Sequence, residues 1–128
     1  MYNRVMIIDD NYIDRYIAQT TIKKAGFAND IISFDGALQA FQYLKEQKDN
    51  SEQLPDVIFL DINMPEFTGF DFLSWFNELV PVDQQKCRIV MLSSSLNEID
   101  HNRAMSFKQV IRFLNKPLKK DILQEILA

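Results

Sequence analysis

The stretch "VIFLDINMP", Val57 to Pro65, decides the architecture. Val57 to Leu60 form a short apolar run with no polar alternation. Such a run is buried on both faces, as in a parallel sheet covered by helices. Asp61 follows at once, and Met64-Pro65 comes three residues later. A strand hidden on both sides therefore delivers a carboxylate to its last position. An acid placed there points to chemistry at the strand's end.

Four more apolar runs flank this one and alternate with helical patterns, the βα alternation of an α/β fold. The strands read as "RVMIID" (4–9), "DIISF" (30–34), "DVIFLD" (56–61), "RIVMLS" (88–93) and "VIRFLN" (110–115). A first helix is expected from about Tyr12 to Ala25, with Ile13, Ile17 and Thr21 on one stripe and Gly26 as its stop. A second follows Asp35-Gly36, with Ala37, Ala40, Phe41 and Leu44 at helical spacing. The polar segment "EQKDNSEQLP" is the longest loop. The third helix, "FDFLSWFNEL", ends before Pro81; Phe72, Leu73, Phe76, Leu79 and Val80 form its core stripe, with Phe70 or Trp75 at the margin. Ser95 and Glu98 make a capping box for the fourth helix. The fifth covers about Lys119 to Leu127. Five units in strict alternation favour a doubly wound sheet with helices on both faces over a closed barrel of eight. Ligands of such sheets sit beyond the carboxyl ends of the strands.

Composition sets the outer bounds. The chain has 128 residues, 47% apolar and 25% charged, which suits one globular domain spanning 1–128. Net charge is −4, and the longest basic runs are pairs such as Lys23-Lys24 and Lys119-Lys120. Direct nucleic-acid binding needs clustered Lys and Arg, so it is not expected. One cysteine, Cys87, forms no internal disulfide and fits a reducing cytoplasm. No apolar run reaches membrane-span length.

At the strand ends stand Asp9-Asp10, Asp61, Ser93-Ser94-Ser95 and Asn115-Lys116-Pro117. If strands one, three, four and five are neighbours, three carboxylates, a hydroxyl and an ammonium meet in one pocket. Two unit charges 4 Å apart repel by about 4 kcal/mol at an effective dielectric near 20. Carboxylates this close relieve the repulsion by holding protons or a cation. Oxygen ligands without His or Cys suit a hard ion such as Mg²⁺. Lys116 adds a point charge for a phosphoryl anion. Asp61 is then placed to act as a nucleophile toward phosphorus. Taken alone, Asp9-Asp10 could instead cap the first helix. His101, the only histidine, reads as solvated, and Cys87 as a small buried or strand-edge residue.

These motifs carry a family resemblance over essentially the full chain. "MIIDDN", "PDVIFLDINMP", "TGFDFL", "IVMLSS" and "FLNKPL", in this order, resemble the receiver domain of bacterial two-component response regulators; "FDGALQAF" resembles the entry to its second helix. The resemblance implies a flavodoxin-like strand order 2-1-3-4-5. It implies that Asp61 accepts a phosphoryl group from a histidine kinase or phosphotransfer protein. Asp10 and the backbone carbonyl of Asn63 would join Asp61 around Mg²⁺, with Asp9 orienting metal-bound water. Ser93 and Lys116 would contact the phosphoryl group, and Phe113 matches the aromatic switch position. With no residues left for an output domain, a stand-alone cytoplasmic receiver acting on another protein is expected, not an enzyme. Two alternatives stay open: a pseudo-receiver that binds a partner without phosphorylation, and an aspartyl-phosphate phosphatase. The latter needs a second acid where this chain has Asn63.

Overall fold

The computed structural model describes residues 1–79, 86–95 and 97–127. Five strands, β1 (Tyr2–Ile8), β2 (Ala28–Phe34), β3 (Val57–Asp61), β4 (Arg88–Ser93) and β5 (Val110–Asn115), form one sheet in the order β2-β1-β3-β4-β5. Every pairing is parallel. The helices between them are α1 (Tyr12–Lys24), α2 (Ala37–Glu46), α3 (Gly69–Leu79), α4 (Glu98–Met105) and α5 (Lys120–Leu127). The expected architecture and strand order are those observed.

The two-residue period of the strands sorts the core into two layers. Val5, Ile7, Val57, Phe59, Val90 and Leu92 pack with Ala18 and Ile22 of α1 and Leu123 and Ile126 of α5. Met6, Ile8, Ile58, Leu60, Ile89 and Met91 face the other way. They pack with Ala40 and Leu44 of α2, Phe72, Leu73 and Phe76 of α3, and Ala104 of α4. Both faces of the central strands are covered, which explains why they read as unbroken apolar runs.

Two local expectations are corrected, and one alternative, Asp9-Asp10 as a helix cap, is set aside. The stripe Ile13–Ile17–Thr21 does not face the sheet: Ile13 is 65% exposed and Ile17 37%, while Ala18 and Ile22 are buried. Ala18 is small, so its face lets α1 lie close to the strands, although the isoleucine stripe is the more apolar of the two. The cap of α4 is Asn97, whose Oδ1 accepts from Ile99 N at 2.9 Å and Asp100 N at 3.2 Å. Ser95 does not cap it, because the Ser95 backbone is tied to Ser93 Oγ. The cap of α1 is Asn11, with Oδ1 accepting from Asp14 N at 2.9 Å; neither Asp9 nor Asp10 serves. Gly26 does end α1, at φ +61°, a left-handed conformation that suits glycine. Pro81, expected to end α3, and Val80, expected on its stripe, lie outside the described residues.

Candidate functional site

Parallel register brings the carboxyl ends of the strands to one edge. Ile8 pairs with Leu60, Asp61 with Leu92, and Ser93 with Asn115. Asp9 follows β1 directly, Asp61 closes β3, and Lys116 follows β5, its N–H donating to Ser93 O at 2.8 Å. The Lys116 ammonium lies 2.7 Å from Asp9 Oδ2, 3.0 Å from Asp14 Oδ2 and 3.4 Å from Asp61 Oδ1. Asp9 is fully engaged: Oδ1 accepts from Asn11 N at 2.9 Å, and its carbonyl accepts from the Arg15 guanidinium at 2.8 Å. Asp10, beside it, is exposed. Carboxylate oxygens of Asp9, Asp10 and Asp61 all lie within 4.8 Å of one another.

This crowding has an electrostatic signature. Burial and then the Asp9 charge push the Asp61 carboxyl up to about 7, against the pull of Lys116 and the Asn63 backbone N–H. Burial alone would lower Lys116. Its hydrogen bonds to Asp9 and Asp14 and the charges of Asp61 and Asp9 outweigh that and raise it, so the ammonium stays charged. One ammonium thus faces three carboxylates, Asp9, Asp14 and Asp61.

The loop after Asp61 is held tightly. Gly69 N–H donates to Ile62 O at 2.8 Å, and a Cβ on Gly69 would come within 2.5 Å of the Asp61 carbonyl oxygen. Only glycine lets α3 begin so close to the strand carrying the acid. Thr68 and Asp71 then form a reciprocal cap, with Thr68 N donating to Asp71 Oδ2 at 2.8 Å and Asp71 N to Thr68 Oγ at 3.2 Å. That pattern was available in "TGFD" and escaped the reading of the sequence. Between these anchors Glu66 sits at φ 70°, an unusual conformation for a non-glycine residue beside the site.

The residues singled out from sequence are only partly united. Asp9, Asp10, Asp61 and Lys116 converge, and Asn63 lies exposed in the adjoining loop. Ser93 is buried at the same edge, but its hydroxyl donates to Ser95 O at 2.6 Å. Phe113 stands lower on β5, opposite Met91 and half-buried. Its ring meets His101 edge-on at 5.2 Å, so the exposed histidine expected to be merely solvated packs on Phe113. Of the α3 aromatics, Phe70 is buried beneath the Arg103 guanidinium, while the half-buried Trp75 packs against Phe41 and Phe67. Cys87 is half-buried. Asp14 was missed. Its signal was helical spacing, since a helix entered directly after Asp10 returns residue 14 to the same side one turn later.

Comparison with known proteins agrees with this geometry. Among the described residues no helix is long and apolar enough to cross a membrane. The chain is 29% identical over 125 residues to the two-component response regulator ORR1 of rice (Oryza sativa subsp. japonica), covering 96% of this chain and 53% of that protein. It therefore spans about half the length of that relative. A two-component response regulator from Cytophaga hutchinsonii has a similar structure, with a TM-score of 0.91 at 27% identity, covering 98% of this chain and 94% of that one. The receiver domain of the histidine kinase CKI1 from Arabidopsis thaliana, solved with Mg²⁺ and BeF₃⁻, gives 0.81 at 25% identity, covering 98% and 89%. Residues 5–128 match the response regulator receiver domain, and the chain belongs to that family of two-component signalling.

Proposed function

We propose that this receiver accepts a phosphoryl group on Asp61 from a histidine kinase or phosphotransfer protein and signals through phosphorylation-dependent binding of another protein. The observation that carries this is the Asp61 carboxyl, buried at a strand end beside Asp9, Asp10 and the Lys116 ammonium. The Asp61 carboxylate attacks phosphorus, the bond from phosphorus to the donor breaks, and an acyl phosphate forms while the donor's leaving atom takes a proton. Lys116 faces the oxygens of the incoming group. Ser93 exchanges its bond to the Ser95 carbonyl for one to a phosphoryl oxygen.

The donor set fits a hard divalent cation: oxygen only, with more negative charge than Lys116 neutralises. Asp10 and Asp61 with the Asn63 carbonyl would hold Mg²⁺, and Asp9, already committed to Lys116, would act through water. Bound there, the ion would neutralise charge on the transferring group. The Arabidopsis receiver with Mg²⁺ and BeF₃⁻ supports the same reading. Asn63, two residues beyond Asp61, is no acid, which disfavours a multiple-turnover phosphatase. Drawing Ser93 toward phosphate moves the loop into α4, and the half-buried Phe113 ring couples that motion to the face of α4, β5 and α5. A tenfold bias between two such states takes only about 1.4 kcal/mol.

The test is intact-mass analysis after exposure to a small phosphoryl donor with Mg²⁺. The wild type should gain one phosphoryl group, lost on chelating the metal, and Asp61→Asn none at the site. A wild type that never gains the mass would make the chain a pseudo-receiver. Equal labelling of the variant would place the nucleophile elsewhere.

A further inference from the structure

Lys116 has a partner that the proposed transfer does not use. Its ammonium carries three N–H bonds and faces three carboxylates, and the second nearest is Asp14 at 3.0 Å, closer than Asp61 at 3.4 Å. Asp9 and Asp61 are buried at strand ends and fixed by the sheet. Asp14 differs in both respects: it belongs to the first turn of α1, and its side chain is 35% exposed. Its position is set by Asn11, whose side chain accepts the Asp14 N–H. One turn of helix thus brings a further negative charge to the cation that an incoming phosphoryl group must recruit.

We propose that Asp14 is a positioning residue that holds Lys116 back from Asp61 in the resting state and restrains phosphoryl uptake. The proposal rests on Asp61 as the phosphoacceptor. The donor's anionic oxygens must take the Lys116 ammonium from Asp14 before the ammonium can serve them, and the Asp14 charge repels them meanwhile. The restraint acts chiefly on recruitment of the donor, because Asp14 does not touch the Asp61 oxygens that react. Phosphorylation releases Asp14, so the start of α1 changes its partner together with the site.

The experiment compares wild type, Asp14→Asn and Asp14→Glu using acetyl phosphate with Mg²⁺. For Asp14→Asn the KM for the donor should fall about fivefold, the scale of one partly solvated ion pair, with the maximal rate changed less. Asp14→Glu keeps the charge and should restore most of the wild-type KM. In the unphosphorylated proteins the Lys116 Nζ magnetic-resonance signal should shift in Asp14→Asn, a readout that needs no donor. A wild type that takes no label overturns the reading of Asp61 and this inference with it. A labelled wild type whose KM and Lys116 signal are unaltered in Asp14→Asn overturns the inference alone.

Discussion

Arg4 and Lys116 are half-buried cations at opposite ends of the same sheet, and their surroundings neutralise them differently. Arg4, near the start of β1, has one acid, Asp30 at 2.7 Å, and otherwise neutral acceptors: Tyr43 Oη at 2.8 Å, Gln53 Oε1 at 2.7 Å and Gln53 O at 3.2 Å. Lys116 has three carboxylates within 3.4 Å and Asp10 close by. The Arg4 guanidinium thus meets one carboxylate and several neutral oxygens, and the arrangement pins the loop after α2 to β1. At the Lys116 end acids exceed cations, and the imbalance appears as a carboxyl that resists ionisation. Balance marks a structural joint. Imbalance marks a place waiting for another charge, and perturbed groups of this kind cluster at functional sites.

The largest expected effect removes the imbalance. The folded Asp61 titrates near 7, against an ordinary value of 3.8, so between those pH values the native state keeps a proton that the unfolded state has lost. Stability in the absence of divalent cations therefore falls as pH rises through that window, and the full penalty is present above 7. Asp61→Asn should then be more stable than wild type at pH 8 by on the order of 2 to 4 kcal/mol, and no more stable at pH 3. Urea unfolding at the two pH values measures this, and added Mg²⁺ should narrow the gap at pH 8. If the variant gained nothing at pH 8, the two ends of the sheet would not differ in charge balance.

Arg4→Met addresses the other end. It should cost about 2 kcal/mol through the lost hydrogen bonds, nearly independent of pH between 5 and 9, while phosphoryl labelling per folded molecule stays at the wild-type level. A labelling defect there would show that the two ends are coupled. The smallest effect is expected from Tyr43→Phe, about 1 kcal/mol, because Gln53 still accepts from Arg4 once the hydroxyl is gone. Unfolding midpoints should rank the two variants in that order; a reversal would make the tyrosine bond to Gln53 O, at 2.7 Å, the main tie of the joint.

What the sequence revealed followed from burial. The bounds of β4 and β5 match those read from the letters, 88–93 and 110–115, because core contact confines their residue types. β1 and β2 begin two residues earlier than expected, where Tyr2 pairs with Ala28 through backbone hydrogen bonds that leave no mark on side-chain polarity. The inner face of α1 was hidden because Ala18 is small and the isoleucines that look like core point outward. At the start of α4 the cap expected from Ser95 is Asn97 instead, because the Ser95 backbone is tied to a hydroxyl from β4. At the site, acids at strand ends were legible as soon as the strands were. For Asp14 helical spacing marked only the side it faces; nothing in its own helix points to a lysine 102 residues away.

That separation bears on how the protein is made. Synthesis delivers Asp9, Asp10, Asp14 and Asp61 well before Lys116, whose strand is the last of the sheet. A nascent chain holding only the first three strands carries these acids without the ammonium that faces them, so their mutual repulsion opposes early closure of that edge. Docking of β5 brings the counter-charge, and contacts of such long range form late because the intervening chain must first be ordered. If Asp61 accepts phosphate as proposed, the ammonium that faces it therefore arrives only with the last strand.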